Sequence, residues 1–278
     1  MYENNRVIVI VPCYNEQEKI QKVIERIHNM PEHLRTEHVR PEHLQDGNAK
    51  KGDGHATRSN VKATGSSDKV IDEILVVDDG STDQSANIAK QQGATVISLS
   101  KVEGVGAALR AGFEYALKKK YPLIVVIAGN NKDEPNEIPS LLKPLLKEDY
   151  DFIQGSRFLG NQNFGHMPYY RKFATKVHPL LFSFFTGKKV TESTNGFRAF
   201  KCKLLEDPKI QLNQSWLNQY ELEPYLYYKA VTLGYKTGEV PCTKVYPHRK
   251  IGYTKMVPII GWWSILRPLL LLKLGIRS

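Results

Sequence analysis

Short apolar runs, each ending abruptly in polar residues, set the rhythm of this chain. Val7 to Val11 is β-branched throughout and is broken by Pro12-Cys13-Tyr14-Asn15-Glu16. Ile74 to Val77 ends in Asp78-Asp79-Gly80-Ser81-Thr82-Asp83, and Ala94 to Leu99 makes a third run. A fourth, Pro122 to Ile127, enters Ala128-Gly129-Asn130-Asn131-Lys132-Asp133-Glu134-Pro135. Runs of this length suit strands buried on both faces of a parallel sheet. Between them the spacing turns helical. Ile20, Val23, Ile24 and Ile27 predict a helix over Glu16 to Met30 with Asn15 as its cap. Gln84 to Gly93 reads as a helix with Ser81 or Asp83 at its start and a glycine at its end. Gly104 opens another through Lys118, whose small residues permit close packing. Strands alternating with helices predict an α/β fold, with ligands outside the carboxyl ends of the strands.

The second half changes character. Asp151 to Arg157 reads as a strand ending in a cation, and Arg171 to Phe185 as an apolar helix. Glu192 to Phe200 is a polar turn entering a short strand, and Gln219 to Leu233 a tyrosine-rich helix carrying Glu221 and Glu223. Tyr235 to Tyr246 is strand-like and is followed by a basic turn, Pro247 to Lys255. In Met256 to Leu272, Trp262, Trp263 and four consecutive leucines are interrupted by Arg267-Pro268, with Lys273 and Arg277 beyond. That composition predicts an amphipathic segment lying in a membrane interface; a C-terminal core or dimer helix is the alternative. Residues 31–69 are polar, with Pro31-Glu32-His33-Leu34 recurring as Pro41-Glu42-His43-Leu44, and read as a surface insertion. His33, His38 and His43 stand five apart, off any single helical face, which argues against a metal site.

Charge narrows the partners. Lys and Arg number 39 against 29 acidic residues in 278, a net charge of +10. Phosphorylated substrates and anionic headgroups fit that balance, whereas nucleic-acid binding has no supporting motif. Cys13, Cys202 and Cys242 are far apart, as reduced thiols of a cytosolic protein are expected to be. No signal peptide opens the chain, and no apolar run reaches the roughly 18 to 20 residues of a spanning helix. The expected location is cytoplasmic and peripheral to a membrane. Gly104 and Gly106 supply half of a dinucleotide fingerprint, but Leu109 stands at its third glycine, so that reading is weak.

Four segments, taken in order, carry a family resemblance. Val11-Pro12-Cys13-Tyr14-Asn15-Glu16, Val76-Val77-Asp78-Asp79-Gly80-Ser81-Thr82-Asp83, Gly155-Ser156-Arg157-Phe158 and Asn195-Gly196-Phe197-Arg198 are closed by Arg249, Gly252 and Lys255. Together they resemble family 2 glycosyltransferases of the GT-A fold, in the dolichyl-phosphate mannosyltransferase and polyprenyl-phosphate glycosyltransferase branch. The resemblance spans nearly all of the chain except residues 31–69. It implies one GT-A domain over 1–258, with a Rossmann-like nucleotide-sugar half at 1–160 and an acceptor half at 161–258. A membrane-associated segment at 259–278 would follow. Pro12, Tyr14, Asn15, Glu16, Val77, Asp79, Ala128, Gly129, Arg249 and Lys255 are implied for a UDP- or GDP-linked sugar. Arg157, Arg171 and Arg198 are implied for an acceptor phosphate, where arginine supplies charge-assisted, bidentate bonds. The implied partners are a nucleotide sugar, polyprenyl phosphate, the membrane surface and a membrane subunit.

One departure bears on the chemistry. The family's metal-binding Asp-x-Asp is matched here by Ala128 and Asn130, with Lys132 close behind. Either Asn130, Asp133 and Glu134 hold a divalent metal (Mg2+ or Mn2+) in a shifted register, or Lys132 neutralises the leaving phosphate. Asn130, Lys132 and Arg157 are the expected catalytic residues. The implied reaction is displacement at the anomeric carbon with inversion. Two alternatives stand beside it. One is transfer to a glycan or glycolipid hydroxyl, with Glu192, Glu221 or Glu223 as general base. The other is a catalytically silent nucleotide-sugar-binding subunit.

Overall fold

The computed structural model describes residues 5–30, 70–160, 164–247 and 258–277. The insertion 31–69 and its histidines lie outside the described residues, as do Arg249, Gly252 and Lys255. Seven strands form one sheet: β1 (Val7–Cys13), β2 (Glu73–Asp78), β3 (Thr95–Ser98), β4 (Leu123–Val126), β5 (Phe152–Ser156), β6 (Arg198–Lys201) and β7 (Thr237–Pro241). Their order is β3-β2-β1-β4-β6-β5-β7. The four runs read from the sequence are the parallel half, with Pro12 opposite Val77 and Cys13 opposite Asp78. Strand β6 runs antiparallel to both β4 and β5, and β7 returns parallel to β5.

Alternation along β1 splits the core in two. Val7, Val9 and Val11 face one side, packing on Ile20, Val23, Ile24 and Ile27 of α1 (Ile20–His28), and Ala89 of α2 (Ser85–Gln91) joins that side. Ile8 and Ile10 face the other, toward Ala108, Leu109 and Phe113 of α3 (Val105–Lys118). Helix α3 lies close to the sheet because it carries Gly112: a Cβ there would stand 2.7 Å from Ile10 Cγ2. Helix α4 (Ile138–Lys147) buries Leu141, Leu142 and Leu145 against the first face. The sequence reading did not include α4, although Ile138, Leu141, Leu142 and Leu145 keep helical spacing. Pro139 in its first turn and Pro144 inside it obscure the pattern. The other α-helices among the described residues are α5 (Tyr169–Thr186), α6 (Leu222–Thr232) and α7 (Pro258–Lys273).

Two local expectations change. Asn15 does not cap α1, which begins at Ile20 with no side-chain cap. It adopts a left-handed backbone (φ 49°), its Oδ1 accepts from Thr82 N at 2.9 Å and its N donates to Ser81 Oγ at 2.8 Å. Ser81 is therefore occupied in joining the turns after β1 and β2, while Asp83 Oδ1 accepts the first amide of α2, Ser85 N, at 2.9 Å. Helix α7 is apolar on two sides: Leu269 and Ile265 are buried, while Trp263 and Leu270 are exposed. Among the described residues no helix is long and apolar enough to cross a membrane.

Candidate active site

The parallel strands end in a cleft of ≈ 350 Å³. Pro12, Tyr14, Glu16 and Asp79 line it from the turns after β1 and β2, and Ala128, Gly129, Asn130 and Lys132 from the turn after β4. The Asn15–Ser81 contacts fix the first two turns against each other, and Glu16 N adds a bond to Ser85 Oγ at 2.8 Å. Asp79 accepts from Glu103 N at 2.8 Å and Gly104 N at 2.9 Å, so its carboxylate also anchors the start of α3. Burial pushes its carboxyl above the ordinary aspartate value, against the opposing pull of those N–H groups. Val77 is fully buried in the core and does not reach the cleft.

Beyond Ala128 and Asn130 a second cavity of ≈ 170 Å³ shares Pro12, Arg171, Tyr220, Lys244 and Tyr246 with the first. Thr194, Gly196 and Glu223 also line it, as do Trp262 and Ile265 of α7. Arg157 borders this cavity but is 2% exposed and already engaged. It donates to Glu192 Oε2 at 2.6 Å, Thr194 Oγ1 at 2.6 Å and Tyr246 Oη at 2.9 Å. Burial raises the Glu192 carboxyl, but the Arg157 guanidinium outweighs it and the net shift is downward. Arg157 thus supports the wall and does not present a free fork to a ligand. Arg198 is placed differently from expectation. Fully buried, it donates to Asn195 O and Glu223 O, pairs with Glu223 Oε1 at 3.5 Å, and lines neither cavity. A side chain at the start of an inner strand points into protein, a fact that a motif match does not reveal.

Of the three candidate bases, Glu192 is committed to Arg157, and Glu221 is buried against Arg267 at 2.7 Å. Burial raises the Glu221 carboxyl above its ordinary value, partly offset by hydrogen bonds and by Arg267. Glu223 alone faces the inner cavity. Sequence reasoning missed Lys244, Tyr246, Tyr220 and Lys19. The Tyr235–Tyr246 stretch is strand-like in sequence, but β7 stops at Pro241. Residues 244–246 then thread between the β4 turn and the 164–166 loop, through Val245 N to Lys132 O at 2.9 Å and Tyr246 N to Phe164 O at 3.1 Å. A lysine and a tyrosine just past a strand end were the available signal.

The residues after β4 do not fit a divalent cation. Such a cation needs several oxygen ligands. Asn130 Oδ1 is turned toward Lys132 N at 3.3 Å. Asp133 Oδ1 holds Lys244 Nζ at 2.5 Å, leaving Oδ2 buried with no hydrogen bond among the described residues, and Glu134 holds Arg26 at 2.5 Å. Among the described residues no group of three His, Cys, Asp or Glu side chains converges.

A crevice at the carboxyl ends of β1, β2 and β4, lined by the carboxylates Glu16 and Asp79 and by the cations Lys19, Lys132, Arg171 and Lys244, suits a nucleoside diphosphate carrying a small group. The sequence over residues 58–209 matches Glycosyl transferase family 2. The chain belongs to that family, and it is a glycosyltransferase. The glycosyltransferase is 26% identical over 257 residues to the polyprenol monophosphomannose synthase of Mycolicibacterium smegmatis, covering 90% of this chain and 81% of that one. It is 24% identical over 290 residues to the UDP-N-acetylglucosamine–dolichyl-phosphate N-acetylglucosaminyltransferase of Methanococcus voltae, covering 97% and 96%. Its fold is GT-A. Glucosyl-3-phosphoglycerate synthase from Mycobacterium tuberculosis, crystallised with UDP, superposes with a TM-score of 0.62 at 20% identity over 99% of this chain and 82% of that one. The same synthase has been crystallised with Mn2+ and with Mg2+.

Proposed function

We propose that this glycosyltransferase moves a sugar from a nucleoside-diphosphate donor to a polyprenyl phosphate, with inversion at the anomeric carbon. One observation carries the reading: the inner cavity joins cations to an apolar wall. Arg171 and Lys244 line it together with Trp262 and Ile265. A phosphate on an isoprenoid chain requires both. An acceptor phosphate oxygen would attack the anomeric carbon as the bond to the donor's β-phosphate breaks, and the nucleoside diphosphate would leave with the electron pair. A phosphate is already an anionic nucleophile, so positioning and charge neutralisation suffice. The commitment of Glu192 and Glu221 to arginines fits a reaction needing no base. The two relatives, named for polyprenol and dolichyl-phosphate acceptors, support the same acceptor class. Pro12, Tyr14, Glu16 and Asp79 are assigned to base and ribose, where a carboxylate accepts from N–H and O–H donors.

The reading includes peripheral attachment to a membrane. Tyr169, Phe173, Leu180 and Phe184 are 69–90% exposed and stand four, seven and four apart on one side of α5. Neither α5 nor α7 contains an acidic residue, and Lys172, Lys176 and Lys273 flank the apolar side chains. An aromatic and aliphatic face edged with lysines suits an anionic lipid surface.

A second reading has one observation in its favour. Glu223 faces the inner cavity and could serve as general base for a hydroxyl acceptor. Nucleotide release from a panel of UDP- and GDP-sugars, with polyprenyl phosphate, free polyprenol or a glycan supplied, separates the two. Release that requires the lipid phosphate and survives Glu223→Gln supports the first reading. Release that requires a hydroxyl and is lost in Glu223→Gln establishes the second.

A further inference from the structure

The β4 turn holds an alanine, an amide and a lysine where the family carries metal carboxylates, and the surrounding residues form a different kind of site. We propose that a fixed cation cluster, Lys132, Lys244 and Arg171, takes the place of the divalent metal and holds the donor diphosphate directly. The inference rests on the reading that the cleft takes a nucleoside diphosphate, and it is independent of the acceptor.

Three observations converge. First, Lys132 and Lys244 are only 7% and 9% exposed, yet both line the cleft, and Arg171 lines it beside them. Lys244 is paired with Asp133, and gathering three cations around one cleft concentrates positive charge that a bound diphosphate would offset. The nearness of Lys244 and Arg171 adds to burial in pulling the Lys132 ammonium down to about 7. Second, the acidic groups nearby are already matched by cations: Glu16 by Lys19 at 2.9 Å, Asp133 by Lys244 at 2.5 Å and Glu134 by Arg26 at 2.5 Å. A divalent ion would have to compete with these cations for Glu16, Asp133 Oδ1 and Glu134. Third, the cluster is held in place before any ligand arrives. The Tyr246 ring carries Lys132 Nζ at 5.2 Å and Arg171 Cζ at 5.4 Å from its centroid, and Arg157 fixes its hydroxyl at 2.9 Å. Cations anchored on an aromatic face stabilise a leaving diphosphate with little reorganisation.

The test is binding, measured without turnover. UDP, GDP and inorganic pyrophosphate are titrated calorimetrically into the full chain, in EDTA and again with Mn2+ or Mg2+. The expected result is that UDP or GDP binds in EDTA and that added metal changes its Kd by less than about twofold. Lys132→Gln is expected to weaken that diphosphate about tenfold while leaving the parent nucleoside unchanged, and Lys132→Arg to retain binding. Because Lys244→Gln alone strands Asp133, the double change Asp133→Asn with Lys244→Gln is used, with the same expectation. Loss of binding in EDTA with recovery in Mn2+ overturns the proposal. So does equal weakening of nucleoside and diphosphate, or failure of UDP, GDP and pyrophosphate to bind under any condition. No acceptor is present, so these outcomes leave the acceptor assignment unaffected, and a different acceptor leaves them unaffected.

Discussion

Arg157 and Glu192 form a buried ion pair, Nε to Oε2 at 2.6 Å, with 2% and 0% of their side chains exposed. Glu192 Oε1 also accepts from Ser193 N at 3.0 Å and Thr194 N at 2.7 Å, and the arginine reaches Tyr246. The pair therefore ties the loop before β6 to the wall shared by both cavities. Removing one partner of such a pair leaves a buried charge. Glu192→Gln is expected to cost about 3 kcal/mol of stability, and Glu192→Gln with Arg157→Met to cost less. Chemical denaturation of the two variants checks this; a double variant that loses more than Glu192→Gln would mean that the charges act separately.

Lys132 gives diphosphate binding a pH dependence. Its ammonium value stands at about 7, against 10.5 for an ordinary lysine. Below about 7 the cation is present in the free protein; above it, binding must first take up a proton. UDP or GDP affinity is expected to fall as pH rises through the neutral range, and to lose that slope in Lys132→Arg. Stability runs the other way. Between about 7 and 10.5 the unfolded chain holds a proton that the folded one lacks, so this group favours folding more as pH rises across that window. Calorimetric titrations at stepped pH values, on both proteins, check the binding slope.

His178 joins three elements. Its Nε2 lies 3.1 Å from the carbonyl of Ile265 in α7, and its Nδ1 2.7 Å from Ser193 Oγ. A carbonyl only accepts, so Nε2 carries the proton and Nδ1 accepts from the serine. Burial pulls the imidazole down to about 4 from 6.5. The unfolded chain binds a proton between those values that the folded one excludes, so stability is expected to fall as pH drops from 6.5 toward 4. Urea denaturation over that range, compared with His178→Phe, checks it: the variant is expected to show the shallower dependence.

Gly112 sets the distance between α3 and the sheet. The Cβ of Gly112→Ala would meet Ile10 Cγ2 at 2.7 Å, with Val77 Cγ2 behind it at 3.3 Å. Neither atom lies at the end of a long flexible chain, so the helix must shift. A loss of about 1–3 kcal/mol is expected by thermal or chemical unfolding.

The parallel half of the fold was legible because β1, β2 and β4 are buried on both faces and so read as unbroken apolar runs. The crevice was legible too, since strand ends in a parallel sheet converge, and Pro12, Tyr14, Glu16 and Asp79, which the family resemblance implied, line it. The second half was less legible because burial there is mixed with charge. Arg198 and Arg171 look alike in sequence, yet one is sealed under Asn195 and Glu223 while the other borders both cavities. Asn15 resembled a helix cap, and only its long-range bonds to Ser81 and Thr82 show that it joins two turns. Lys244 went unnoticed because its role comes from Asp133 and Lys132, more than a hundred residues away in sequence.

The most direct test of the account is the chemical form of the product. Labelled UDP- or GDP-sugars are incubated with the protein and polyprenyl phosphate, and the organic phase is analysed by mass spectrometry and NMR. The account predicts a sugar joined to the lipid through a phosphodiester, with its anomeric configuration inverted from the donor. A sugar attached to a hydroxyl, a retained configuration, or no labelled lipid with any donor that binds would contradict it.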